Sequence, residues 1–236
     1  MFLTEYNYTA SWTTKIFMRN FIALISILFS LSSFSSWANT NIDASSLSFS
    51  HFSNNDGLSL NLASVVFRDH LGYLWIGTSA GLNRYDGYSF KVYSNQIDDS
   101  QSLSENIIND INEDEEGNLW IATDNGLNKF IRKTGKFKRF YANENKTNSL
   151  NSNKITRLIK DGNGSFWVGT INGVNHLSPV DESFSQLSGE EETNVIRDQH
   201  VTALHQNSDG SLWVGTFTNG LRHYLAPHNT QSEVIT

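Results

Sequence analysis

The chain has 236 residues, with 17 Lys and Arg against 24 Asp and Glu, a formal net charge of −7 and no cysteine. An acidic balance argues against nucleic acid and anionic membrane surfaces as partners, since both select basic patches. Without cysteine there is no disulfide framework, thiolate nucleophile or cysteine-ligated metal, and this length supports one domain with a full core.

Taken in chain order, Lys15 and Arg19 precede the apolar run 21–31 (FIALISILFSL), which is followed by the small-residue stretch 32–38 ending Ser36-Trp37-Ala38. A charged, an apolar and a small-residue segment in that order form a secretory signal. The apolar run is well short of the ~20 residues a spanning helix needs, although an uncleaved anchor is the alternative. Residues 1–38 are therefore expected to be a signal peptide with an upstream extension, and export without cysteine suits a bacterial periplasm.

Residues 39–58 form a lead-in that carries Phe49-Ser50-His51-Phe52, read here as an outer strand displaced from its own blade. Four repeats follow, at 59–94, 95–141, 142–188 and 189–236. Their tryptophans, Trp75, Trp120, Trp167 and Trp213, are spaced by 45, 47 and 46 residues within YLWIGTSAGLNRY, NLWIATDNGLNKF, SFWVGTINGVNHL and SLWVGTFTNGLRHY. Three residues before each stands Gly72, Gly117, Gly164 or Gly210, and three before that Asp69, Asp114, Asp161 or Asn207. A fixed period of this length marks a repeat architecture.

Each repeat predicts four short strands. The first holds an apolar pair ahead of the Asp-x-x-Gly turn: Ala63 and Val66, Ile108 and Ile111, Ile155 and Leu158, Val201 and Leu204. The Asp caps backbone amides in the turn and the glycine supplies positive φ. The second strand, Leu-Trp-Ile-Gly-Thr in form, is apolar on both faces and so must be covered on both. A third strand opens at Gly81, Gly126, Gly173 or Gly220. The fourth is marked by Phe90 and Tyr93, Phe137 and Phe140, Phe184 and Leu187. Four strands at this period make the blade of a β-propeller. The expected fold is all-β, a partial propeller of four blades. No apolar pair follows Tyr224 in the tail LAPHNTQSEVIT, so the fourth blade is expected to lack its outer strand.

At these residues the sequence resembles the two-component regulator propeller family, whose repeat runs Asp-x-x-Gly-x-Leu-Trp-Ile-Gly-Thr, a short turn, then Gly-Leu-x-Arg-Tyr-Asp. Residues 60–86 match it nearly position for position, and the likeness extends over about 47–224. Ala122, Val174 and Asn207 depart from the pattern, as does one extra residue in the fourth tip. The resemblance implies the periplasmic sensor region of a hybrid histidine kinase or diguanylate cyclase, with the parent protein anchored in the inner membrane and its output domain outside this chain. It also implies a small-molecule or oligosaccharide ligand and a homodimer formed through the parent sensor.

The repeated Trp, Gly and Asp residues read as structural, because a site breaks symmetry. Variation among blades instead falls at the tips between the second and third strands. Ser79, Ala80, Asp124, Asn125, Ile171, Asn172, Phe217, Thr218 and Asn219 are therefore the candidate ligand-binding residues. No metal or cofactor is expected: the seven histidines show no zinc spacing, and one carboxylate per turn falls far short of a calcium site. No nucleophile elbow and no distinct acid stand out, so catalysis is not expected. Glu113–Glu116 (EDEE) and the basic set Arg132, Lys133, Lys136, Lys138 and Arg139 should face each other at one end of blade two. An exported polysaccharide-degrading propeller and a protein-interaction propeller are the alternatives to a sensor.

Overall fold

The Asp-x-x-Gly turn reverses the chain between two strands, and each repeat folds back on itself from there. The computed structural model describes residues 49–187 and 199–225 together with the backbone of the strand Val234–Ile235. The repeats lie in one compact unit that begins at His51. The expected signal peptide falls outside the described residues. Among the described residues no helix is long and apolar enough to cross a membrane.

Blade one pairs β1 (Ala63–Arg68), β2 (Leu74–Thr78), β3 (Gly81–Tyr85) and β4 (Phe90–Tyr93) in sequence order, each antiparallel to the next. Blade two repeats this with β5 (Ile108–Glu113), β6 (Leu119–Thr123), β7 (Gly126–Ile131) and β8 (Lys136–Phe140). Blade three holds β9 (Ile155–Lys160), β10 (Phe166–Thr170), β11 (Gly173–Ser178) and β12 (Ser183–Gln186). Blade four holds β13 (Val201–Gln206), β14 (Leu212–Thr216), β15 (Leu221–Tyr224) and β16 (Val234–Ile235). The all-β propeller architecture is as the repeat predicts.

Two expectations fail together. Residues 49–53 pair with no strand, and the fourth blade has an outer strand of its own: Val234 pairs with Tyr224 and Ile235 with His223. Phe52 packs on blade one instead, its ring 5.0 Å from Tyr85 and 5.6 Å from Phe90. Of the aromatic pair that suggested a strand, only Phe52 packs, and Phe49 is exposed. A two-residue β-branched pair is too short to announce itself in sequence.

The turns do what their residues dictate. In blade one the Asp69 N–H donates to the Tyr73 carbonyl (3.0 Å), while its Oδ1 accepts the N–H groups of Leu71 and Tyr73. The other carboxylate oxygen accepts the Trp75 indole N–H at 2.8 Å, and Asp114 holds Trp120 likewise at 3.0 Å. One side chain thus closes the turn and orients the tryptophan. In blade three Asp161 takes His176 Nε2 at 2.8 Å. In blade four, where Asn207 replaces the aspartate, Asp209 accepts the Ser211 N–H in its place.

The core lies between blades. Trp75 and Leu82 of blade one bury themselves against Ile108, Ile111, Leu119 and Ile121 of blade two. Trp120 and Leu127 meet Ile155, Leu158, Phe166 and Val168, and Trp167 and Val174 meet Val201, Leu212 and Val214. Each interface is therefore heterologous: the tryptophan face of one blade receives the apolar face formed by the first two strands of the next. A glycine in the second strand makes room. A Cβ on Gly77 would stand 2.6 Å from Ile108 Cγ2, and one on Gly169 would stand 2.7 Å from Val201 Cγ1.

Candidate functional site

The second residue of each first strand is bulged out of register, at Ser64, Asn109, Thr156 and Thr202. A bulge re-aims a side chain away from the ladder. Ser64 Oγ donates to the Ile108 carbonyl of blade two (2.5 Å), and Asn109 Nδ2 donates to the Ile155 carbonyl of blade three (2.7 Å). A polar row thus ties successive first strands together at the end where the tips between second and third strands project.

A second polar device fixes those tips. Thr78, Thr123, Thr170 and Thr216 each donate a hydroxyl to the carbonyl of the glycine that opens the next strand. Asn83, Asn128 and Asn175 then accept the backbone N–H of Ser59, Ser104 and Asn151, four residues ahead of each first strand. Blade four breaks this pattern, with Arg222 at the position of those asparagines. The tips therefore stand on a rigid, hydrogen-bonded base.

At this end, across blades two to four, lies an open cavity of about 370 Å³ lined by Ile107, Asn109, Asp124, Lys154, Thr156, Arg157, His200, Val201 and Thr202. Asp124 Oδ2 pairs with Lys154 Nζ at 2.9 Å, and its Oδ1 accepts Asn109 Nδ2 at the same distance. Partial burial opposes ionisation of Asp124. The Asn109 hydrogen bond and the Lys154 ammonium outweigh it and hold the carboxyl below its ordinary range. Arg157 is exposed and gives one N–H to the Thr156 carbonyl (2.6 Å). The His200 ring stacks on Phe217 with centroids 5.5 Å apart and planes 22° from parallel, which extends an aromatic surface from the cavity's edge. Behind it, burial pushes the Asp110 carboxyl up, outweighing the N–H groups of Leu158 and Ile111 and the Arg157 charge.

Of the nine tip residues singled out in sequence, Asp124 lines this cavity and Phe217 reaches it through His200. Asn125, Asn172 and Asn219 use their backbone N–H to close their own turns on the preceding threonine, as does Ala80. Ile171 donates its N–H to the Lys154 carbonyl, next to the cavity. Ser79 and Thr218 are exposed tips outside it. Sequence reasoning missed Lys154, Arg157 and His200, which sit in the connecting segment or the first strand. Their only signal was a run of polar residues beside an otherwise apolar strand. Among the described residues no three His, Asp or Glu side chains gather where they could hold a metal ion.

The acidic and basic clusters of blade two meet only in part. Arg132 reaches Glu113 at 2.9 Å, but Lys138 pairs with Glu182 of blade three and Lys136 donates to Gln101 at 2.6 Å. Arg139 donates to the carbonyls of Ser102, Asp99 and Leu103. Strand β8 runs along the outer edge, so its cations find the connecting segment and the neighbouring blade nearer than their own first turn. These groups hold the outer cavity of about 690 Å³ between Gln101 and Tyr141 together.

Against known proteins, a family model described as two component regulator propeller matches 102–125, 149–172 and 196–218, in blades two, three and four. These are two-component regulator propeller repeats. Each matched stretch of the propeller runs from the connecting segment through the first two strands to the tip. Histidine kinase P4 of Formosa agariphila is 40% identical over 85 residues, which is 36% of this chain and 6% of that protein. Among solved structures, an extracellular domain assigned to a hybrid two component system of B. thetaiotaomicron superposes with a TM-score of 0.68 at 24% identity. The match covers 79% of this chain and 26% of that one. Virginiamycin B lyase from Staphylococcus aureus reaches a TM-score of 0.51 at 15% identity, over 72% of this chain and 53% of the lyase. Both solved structures share the propeller fold. The chain spans only a small part of the kinase and about a quarter of the extracellular domain.

Proposed function

We propose that this propeller is the periplasmic ligand-sensing segment of a two-component signalling protein, exported by its N-terminal signal, and that it binds rather than catalyses. The observation that carries the reading is the cavity at the tip end, where Asp124, Lys154, Arg157 and Thr202 converge beside the His200–Phe217 stack. Its volume lies in the range that takes small ligands, ~300–1,000 Å³. An aromatic face next to closely spaced hydrogen-bonding groups suits a sugar ring, whose apolar face stacks while its hydroxyls pair. The exposed Arg157 favours a sugar that carries an acidic group, as a guanidinium pairs a carboxylate in two parallel bonds.

Isothermal titration of the purified chain with neutral and acidic oligosaccharides tests this. Binding of an oligosaccharide is expected, with loss on Phe217→Ala and weakening on Arg157→Ala while the melting temperature stays that of the parent. If the panel leaves no heat of binding, or if both variants bind as the parent does, the cavity is not the site.

A further inference from the structure

The polar row of bulged residues has one member out of line. Ser64 donates its hydroxyl to the Ile108 carbonyl and Asn109 its amide to the Ile155 carbonyl. Each thereby reaches the first residue of the next blade's first strand. Thr156 holds the same position in blade three, where the matching acceptor is the Val201 carbonyl. Its Oγ1 makes no such bond. The residue is only 8% exposed, and the hydroxyl is shielded and meets no donor or acceptor among the described residues. Buried hydroxyls are nearly always paired. An unpaired one on the wall of a cavity marks a place for a group that the chain itself does not supply.

What stands beside the hydroxyl names that group. A bulge sets two consecutive residues against one on the partner strand. Thr156 and Arg157 therefore both line the cavity, instead of pointing to opposite faces of the sheet. Arg157 Nη1 donates to the Thr156 carbonyl at 2.6 Å, which holds the guanidinium against this residue. Its Nε and Nη2 meet no acceptor among the described residues. The nearby carboxylates are engaged elsewhere. Asp124 pairs with Lys154, and Asp110 feels the Arg157 charge but accepts the Leu158 N–H at 2.9 Å. One positive charge without a salt bridge and one unused hydroxyl thus share the cavity wall.

We propose that Thr156 is a ligand-binding residue, its hydroxyl donating to one oxygen of a ligand carboxylate whose other oxygen takes the Arg157 guanidinium. The inference rests on the cavity being the ligand site and adds the group anchored there. Thr156 has no existing bond to give up, and a charge-assisted hydrogen bond in a shielded place is stronger than one in water. A neutral sugar could offer Thr156 a hydroxyl but would leave Arg157 unmatched. Rings that carry a carboxylate are therefore preferred.

Amide NMR of the full chain, titrated with sodium glucuronate and separately with glucose at matched ionic strength, tests this. Glucuronate should shift the Thr156 and Arg157 signals to saturation, and glucose should need a far higher concentration. Thr156→Val keeps the shape and removes the hydroxyl. Its glucuronate midpoint should rise roughly ten- to a hundredfold, the worth of a hydrogen bond to a charged group. Thr156→Ser keeps the oxygen and should bind as the parent does. Because the hydroxyl has no protein partner, Thr156→Val should melt no lower than the parent. Glucuronate shifts that miss these two residues, or a valine variant that binds like the parent or melts below it, overturn the proposal. An acidic oligosaccharide lost on Phe217→Ala but indifferent to Thr156→Val would also overturn it, while leaving the cavity as the site. An oligosaccharide panel without heat of binding would instead end the oligosaccharide reading, and the glucuronate titration would still decide Thr156.

Discussion

Arg132 of blade two reaches across to Asp69 of blade one, its Nη2 standing 2.9 Å from Asp69 Oδ2 and equally close to Glu113. The Asp69 side chain is fully shielded from solvent, and the same oxygen accepts the Trp75 indole N–H. A carboxylate taken from water needs such compensation, and here it comes from two blades at once. The first turn of one blade and the third turn of the next are locked by this contact.

Asp69→Ala removes the acceptor for two turn amides, one indole and one guanidinium. Breaking a buried pair by deleting one partner costs about 3–5 kcal/mol, and a loss in that range is expected from urea unfolding. Replacement by Asn, which keeps an acceptor, should cost less.

The pH dependence of stability has two signs in this chain. Burial opposes ionisation of Asp69 and Asp161, but hydrogen bonds from Trp75 and Arg132, and from His176, outweigh it and lower both carboxyls. Their contribution is present above the unfolded value of about 4 and is lost as pH falls through the depressed folded values. The urea midpoint should therefore drop steeply on acidification below about pH 4.

Asp110 behaves oppositely, because burial raises its carboxyl. Its contribution is present below the unfolded value and is lost as pH rises through the raised folded one. Asp110→Asn keeps an oxygen for the Leu158 N–H and should raise the urea midpoint at neutral pH. The gain should vanish in acid, where both proteins are uncharged at this site. An equal gain at both pH values would mean the effect is not one of charge.

Tryptophans at equivalent sequence positions should differ in worth. Trp120 is fully buried between blades two and three, with Phe140 and Phe166 rings 5.4 and 6.1 Å away. Trp120→Ala is expected to cost about 3–5 kcal/mol. Trp213 stacks on His223 at 4.0 Å but is only partly buried, and Trp213→Ala should cost roughly half as much, in proportion to the smaller area buried.

The second-strand glycines offer the same contrast by addition. A methyl group on Gly77 would collide with Ile108 and Val65, and Gly77→Ala should destabilise by about 1–3 kcal/mol. On Gly215 the nearest atom a Cβ would meet is Ala203 Cβ, at 3.2 Å, and Gly215→Ala should shift the melting temperature less.

The blade and its count could be read along the chain because every cue is local. An apolar pair, an Asp-x-x-Gly turn, a strand apolar on both faces and a glycine-led third strand lie within about 25 residues of one another, and their recurrence named the architecture. Candidate tips were legible for the same reason, since they interrupt a fixed pattern. How Arg132 joins two blades through Asp69 depends on side chains brought together from different repeats. Lys154, Arg157 and His200 share a cavity with Asp124 only because three blades stand side by side. The outer strand of blade four likewise belongs to the tertiary structure. Burial is a property of neighbours, and equivalent residues such as Leu82 and Leu221 differ only in having one.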